Sequence, residues 1–201
     1  MSEIFFTSDP HFCHDRDFVY KARGFNSIEE HDEAIIRNWN EMVSPDDTVY
    51  MFGDLMMSAD RKGGLEKLSR LNGKIILVRG NHDTDAKFND YLTCPNVCAE
   101  LSAKDVFSKM INVGKWSFLL SHWPTMVGDA IHGKHSHKFF CLHGHTHSND
   151  RFQFLDHGCY NVAMDAHDCR PVNVKEIRSD IIGELDRRRK IAETMAREQE
   201  G

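Results

Sequence analysis

Apolar positions along the chain fall into two patterns. Short unbroken blocks recur at Ile4-Phe5-Phe6-Thr7, Thr48-Val49-Tyr50-Met51-Phe52, Lys74-Ile75-Ile76-Leu77-Val78, Trp116-Ser117-Phe118-Leu119-Leu120 and Phe139-Phe140-Cys141-Leu142. Without polar alternation they predict strands covered on both faces. Elsewhere the spacing is helical. Ser27-Ile28-Glu29-Glu30 is a capping box, followed by Ile35, Ile36, Trp39, Met42 and Val43. Leu65, Leu68 and Leu71 mark a second helix, stopped by Asn72-Gly73. Val113-Gly114-Lys115-Trp116 reads as a hairpin turn, which brings antiparallel pairing into the later part. From Glu176 the chain is rich in Glu, Lys, Arg and Ile and reads as a charged helix with a frayed end. No internal repeat, long linker or low-complexity block interrupts the pattern. It is βαβ-like first and β-rich later, between the α/β and α+β classes, and predicts one domain over residues 1–201, with a core at 1–175 and the charged helix at 176–199.

Composition narrows the function classes. A net charge of −6 argues against broad nucleic-acid binding, which depends on phosphate neutralisation by Lys and Arg, although a local basic groove is compatible with it. No apolar run approaches the ~20 residues of a membrane span, and the first ten residues lack a targeting pattern. A cytoplasmic location is the expectation. The six cysteines lack paired spacing and read as reduced thiols, Cys94 and Cys98 included. The compositional oddity is thirteen unevenly placed histidines.

Those histidines gather where the strands end. Asp9 and His11 follow the first block, Asp54 the second and Asn81 the third; His122 follows the fourth, and His145 and His147 the fifth. In α/β folds the strand ends carry the chemistry. Two carboxylates, one amide oxygen and four imidazoles, without a thiolate, exceed what one ion needs. Two ions sharing a bridging carboxylate would use all seven, and such pairs activate a bridging water for in-line attack at phosphorus. In Leu142-His143-Gly144-His145-Thr146-His147-Ser148, alternate positions let two histidines diverge towards separate ions while Gly144 permits close approach.

Asp9-Pro10-His11, Gly53-Asp54, Gly80-Asn81-His82-Asp83, a lone His122 and Gly144-His145-Thr146-His147 resemble, in order and spacing, the signature of calcineurin-like metallophosphoesterases. The likeness is greatest to small single-domain bacterial and phage members, which share an opening like His11-Phe12-Cys13-His14 and a segment like Asn161-Val162-Ala163-Met164-Asp165-Ala166. The resemblance implies a four-layer αββα sandwich of the metallo-dependent phosphatase fold. It also implies a phosphomonoesterase or phosphodiesterase that works through a hydroxide bridging two metals. It places Asp9, His11 and His147 on one metal, Asn81, His122 and His145 on the other, and Asp54 between them. It makes His82 the catalytic histidine facing the substrate, oriented by Asp83. The ions would be manganese, with iron, zinc, nickel or cobalt as alternatives.

His14 is a candidate substrate contact or a capping residue, and Arg79 a candidate phosphate ligand or a partner of a surface carboxylate. His132, His135 and His137 read as a solvated loop rather than a third metal site. His143 reads as a packed residue, and His31, His157 and His167 give no signal. The expected substrate is a small phosphate ester, with nucleotides and cyclic nucleotides among the candidates. A non-catalytic binding module on the same fold and a nuclease acting on nucleic-acid ends are the alternatives.

Overall fold

The computed structural model describes residues 2–57, 61–127 and 138–199. The first apolar blocks become β1 (Ile4–Thr7), β2 (Thr48–Met51) and β3 (Lys74–Leu77), parallel and ordered β3-β2-β1. The two-residue β8 (Val172–Asn173) closes that sheet antiparallel to β1. The second sheet has the order β4-β5-β6-β7, from β4 (Ser108–Val113), β5 (Trp116–Ser121), β6 (Lys138–His143) and β7 (Cys159–Asn161). There β5, β6 and β7 are parallel, and the expected hairpin makes β4 antiparallel to β5 around Gly114-Lys115. Gly114 supplies the positive φ (61°) that a two-residue turn requires.

The unbroken apolar blocks are explained by what lies on their two faces. Phe5, Val49, Met51, Ile75 and Leu77 face one core, together with Ile35 and Trp39 of α2 (Ile28–Met42), and helices α3 (Arg61–Ser69) and α4 (Asp85–Tyr91) add Leu68, Phe88 and Tyr91. Phe6, the next residue of β1, turns the other way and packs with Phe52 and Val78 against Phe118, Leu120, Phe140, Leu142 and Tyr160 of the second sheet. Helix α5 (Val174–Gln199) buries Ile177 and Ile181 in that second core. Two mixed sheets with flanking helices are the αββα architecture expected. Among the described residues no helix is long and apolar enough to cross a membrane.

Local differences have local causes. The Ser27 hydroxyl accepts the Glu30 amide as the capping box requires, but the Glu30 carboxylate takes the Asn26 amide, one residue earlier than the motif implies. Helix α3 ends at Ser69, so Leu71 is buried just beyond it, where the Trp39 indole donates to the Asn72 carbonyl (2.9 Å). The one-turn α1 (Asp17–Tyr20), α4, β7 and β8 have no run long enough to show a period. The parallel strands of each sheet deliver their C-terminal ends to one edge. A bridge from Ser8 to Ala163 joins the loop after β1 to the segment after β7.

Candidate metal centre

Five of the seven proposed ligands, Asp9, His11, Asp54, His145 and His147, have positive φ between 49° and 67°. A non-glycine residue there costs about 1 kcal/mol or more, and Asp, Asn and His tolerate it best. Asp9/His11 and His145/His147 repeat one device, two left-handed residues with one residue between them. Backbone strain is thus concentrated where the ligand atoms converge. Gly144 seats the second pair, since a side chain at 144 would run into the Asp9 carboxylate and the Ser8 hydroxyl. The His145 amide then donates to Asp9 Oδ2 (2.9 Å), tying the second sheet to the first.

Around His122 the donor atoms face one another. Its Nδ1 is 2.7 Å from the Phe52 carbonyl, so in the neutral ring the hydrogen sits there and Nε2 carries a lone pair. Nε2 lies 2.8 Å from Asn81 Oδ1, 3.1 Å from His145 Nδ1 and 3.4 Å from Asp54 Oδ2. A lone pair turned on the Asn81 and Asp54 oxygens repels them unless a cation lies among them. Asp9 repeats the situation. Its Oδ1 and His11 Nε2 are 3.6 Å apart, fully buried and without hydrogen-bond partners among the described residues. His147 Nε2 stands 4.0 Å from the same oxygen. The ligand atoms of Asp9, His11 and His147, and those of Asp9, Asp54 and His122, lie within 4.8 Å of one another, so each group could hold an ion. Burial works to raise the Asp9 carboxyl, but the adjacent His11 and the His122 and His147 rings hold it well below the usual carboxylate range. Burial pushes His11 down to about 4.

Two residues behind His147 complete the arrangement. Asp165 Oδ2 accepts from His147 Nδ1 (3.1 Å), which raises the His147 pKa and turns Nε2 towards Asp9. The Arg23 side chain, only 2% exposed, grips Asp165 through Nε (3.1 Å) and Nη2 (2.8 Å). The same guanidinium donates to the carbonyls of Asp9 (2.8 Å) and Pro10 (3.2 Å) and meets His31 Nε2 (2.9 Å). His31 in turn pairs with buried Asp32 (2.8 Å), which also accepts the Cys13 amide. Asp165 lies in the Asn161–Ala166 segment, whereas Arg23 stands in no pattern a sequence shows.

Asp54 Oδ1 accepts the His82 amide (2.9 Å), and its Oδ2 is 3.9 Å from His82 Nε2 and 4.0 Å from His11 Nε2. The His82 side chain is 44% exposed, so its backbone is fixed while its ring faces the opening. The expected pairing of Asp83 with that ring is not the one the fold makes. Asp83 is buried, and its oxygens accept the Asp54 and Gly80 amides (2.9 and 3.0 Å) and the Tyr91 hydroxyl (3.1 Å). Because Gly53 and Gly80 leave no room for a side chain between their loops, Asp83 lies underneath and holds both backbones. Arg79 is likewise committed elsewhere, to the Asp83 carbonyl, the Asp85 carboxylate and the Lys104 carbonyl, with Phe107 against its face. The Asp85 bond is the pairing with a surface carboxylate that the sequence offered, and together these contacts clamp the turn. His14 Nδ1 meets His11 Nδ1 at 3.2 Å on the open side. His143 is buried against Phe154. His132, His135 and His137 lie outside the described residues.

Similarity to known proteins extends over most of the chain. The sequence model of the calcineurin-like phosphoesterases matches residues 2–193. The uncharacterized protein MJ1445 of Methanocaldococcus jannaschii is 30% identical over 204 residues, covering 97% of each chain. The gene 66 protein of Mycobacterium phage L5 is 30% identical over 166 residues, covering 74% of this chain and 79% of its own. A solved structure, the protein of unknown function AQ665 from Aquifex aeolicus, superposes with a TM-score of 0.66 at 25% identity, covering 89% of this chain and 99% of that one.

Proposed function

The chain belongs to the calcineurin-like phosphoesterases, and on that premise we propose that it hydrolyses small phosphomonoesters or phosphodiesters using two divalent ions. Asp9, His11 and His147 would hold one ion, Asn81, His122 and His145 the other, and Asp54 would lie between them. The observation that carries this reading is a set of facing lone pairs: His122 Nε2 is turned on Asn81 Oδ1 and Asp54 Oδ2, and buried Asp9 Oδ1 and His11 Nε2 have no hydrogen-bond partners among the described residues. Imidazole, carboxylate and amide donors without thiolate suit manganese, iron, zinc, nickel or cobalt. Bound ions would supply Lewis acidity at the phosphoryl oxygens and lower the pKa of a water.

The chain's own groups do the rest. The Phe52 carbonyl and Asp165 hold the His122 and His147 rings with Nε2 facing inward. Asp83 and Arg79 keep the two loops of the Asp54 and His82 segments in register. His82, fixed through its amide and open at its ring, would donate a proton to the leaving oxygen or stabilise the phosphoryl oxygens. The test is to strip the protein with chelator and restore Mn, Ni, Co, Zn or Mg separately. Each form is then assayed on a panel of phosphomonoesters and phosphodiesters. Metal-dependent release of phosphate or alcohol from at least one ester is expected. Inertness towards every ester with every ion overturns the proposal.

A further inference from the structure

Beside the ligand atoms, a cleft of about 460 Å³ opens between His82 and α1, with His11, His82 and His147 at its mouth. Its walls are mostly apolar, from Phe18 and Val19 of α1, Ala22 and Met57, with His14 and the Asp165 carboxylate completing them. Phe18 is 72% exposed, although a phenyl ring on a one-turn helix gains nothing from water. It stands in a line of rings. His14 meets Phe18 edge-on, with centroids 5.6 Å apart at 88°, and lies over His11 at 5.3 Å and 20°. A larger recess, about 720 Å³, shares His147 and Asp165 with the cleft and is more polar, adding Ser148, Asn149 and Asp168. A hydroxyl-rich group finds partners in that recess and almost none between Phe18 and Met57.

We propose that the apolar cleft is the subsite for the organic group of the ester, and that it favours esters carrying a flat aromatic ring. The inference rests on the phosphoesterase reading of the adjoining centre, because a phosphoryl group among His11, His82 and His147 directs one substituent past them. A ring entering there meets the Phe18 and His14 rings and the Met57 thioether, contacts that aromatic groups exploit and short alkyl groups do not.

Phosphonates isolate this effect, because they keep the head group and are not hydrolysed. Calorimetric titration of the manganese-loaded protein with methylphosphonate, phenylphosphonate and benzylphosphonate is the experiment. At least one aryl compound is expected to bind about tenfold more tightly than methylphosphonate, the size of an aromatic contact plus ring burial. The ratio is expected to fall to about twofold in Phe18→Ala and in Ala22→Trp, which fills the cleft; Phe18 is exposed, so the thermal midpoint of its variant shows that the fold persists. Equal affinities in the native protein, or a ratio that survives both substitutions, overturn the subsite. If methylphosphonate binds and esters are hydrolysed while no ratio appears, the subsite fails and the phosphoesterase reading stands. If no phosphonate binds and no ester is cleaved, both fail.

Discussion

The two sheets build unequal halves of the centre. Loops of the first sheet bring Asp9, His11, Asp54, Asn81 and His82, which include every carboxylate among the proposed ligands. Loops of the second bring His122, His145 and His147, all imidazoles. The first half is fixed mainly by its own backbone: Asp54 accepts the His82 amide, and Asp83 holds the amides of Asp54 and Gly80. The second half is aimed by the first. The Phe52 carbonyl orients His122, Asp9 accepts the His145 amide, and the Asp165 that holds His147 is gripped by Arg23. The carboxylate ligands reside on one side, and three imidazoles on the other.

That asymmetry can be broken by experiment. Asp54→Ala removes an oxygen close to imidazoles of both halves. It is expected to lose most bound metal and about 10³-fold or more in kcat/KM, beyond the 10–100-fold typical of an outer partner. His145→Ala is expected to retain part of its metal, and equal losses by elemental analysis would make the halves equivalent. His82→Ala is expected to keep its metal while kcat falls about 10²–10⁴-fold. Alkyl esters should suffer more than p-nitrophenyl esters, and a variant that loses its ions would place His82 among the ligands instead.

Asp165→Asn tests whether the second half is aimed from behind. Metal affinity is expected to weaken about 10–100-fold in a metal titration. Because the Arg23 side chain, 2% exposed, loses its counter-charge, stability should fall by about 3 kcal/mol in urea unfolding. Unchanged affinity would reduce Asp165 to a packing partner. The smallest effect lies outside both halves. Hydrogen bonding from Arg187 and then Arg188 pulls the Glu184 carboxyl down from 4.5 to about 2. A carboxyl lowered on folding stabilises above its unfolded value, so this contribution is present above pH 4.5 and fades as pH falls towards 2. Glu184→Gln should lower stability at neutral pH by less than about 1 kcal/mol, with the difference vanishing near pH 2. A larger loss would mean that α5 bears on the centre.

The ligand loops were legible in the sequence because each follows an apolar run long enough to show itself as a strand. Asp9, His11, Asp54, Asn81, His122, His145 and His147 are therefore marked by residue order alone. The work of Asp83 was not legible, because it binds main-chain amides of neighbouring loops, and an amide leaves no mark in residue identity; of Arg79 only the pairing with a surface carboxylate was, not its bonds to the Asp83 and Lys104 carbonyls. Arg23 lies between a one-turn helix and a capping box, and only tertiary packing brings it to Asp165, 142 residues away. β7 and β8, at three and two residues, are too short for any periodicity.

The seat of Gly144 against Asp9 has a consequence for how the molecule holds together. The contact between the His145 amide and Asp9 spans 136 residues, so neither proposed ion site is complete until the second sheet has docked on the first. Long-range closure of this kind comes late and slowly in folding. An ion bound only to the docked form acts as a clasp, adding about 1.4 kcal/mol for each tenfold excess of free ion over its dissociation constant. Chelation would therefore loosen the join between the sheets as well as empty the centre, and the resistance of the whole chain to unfolding would follow the supply of metal.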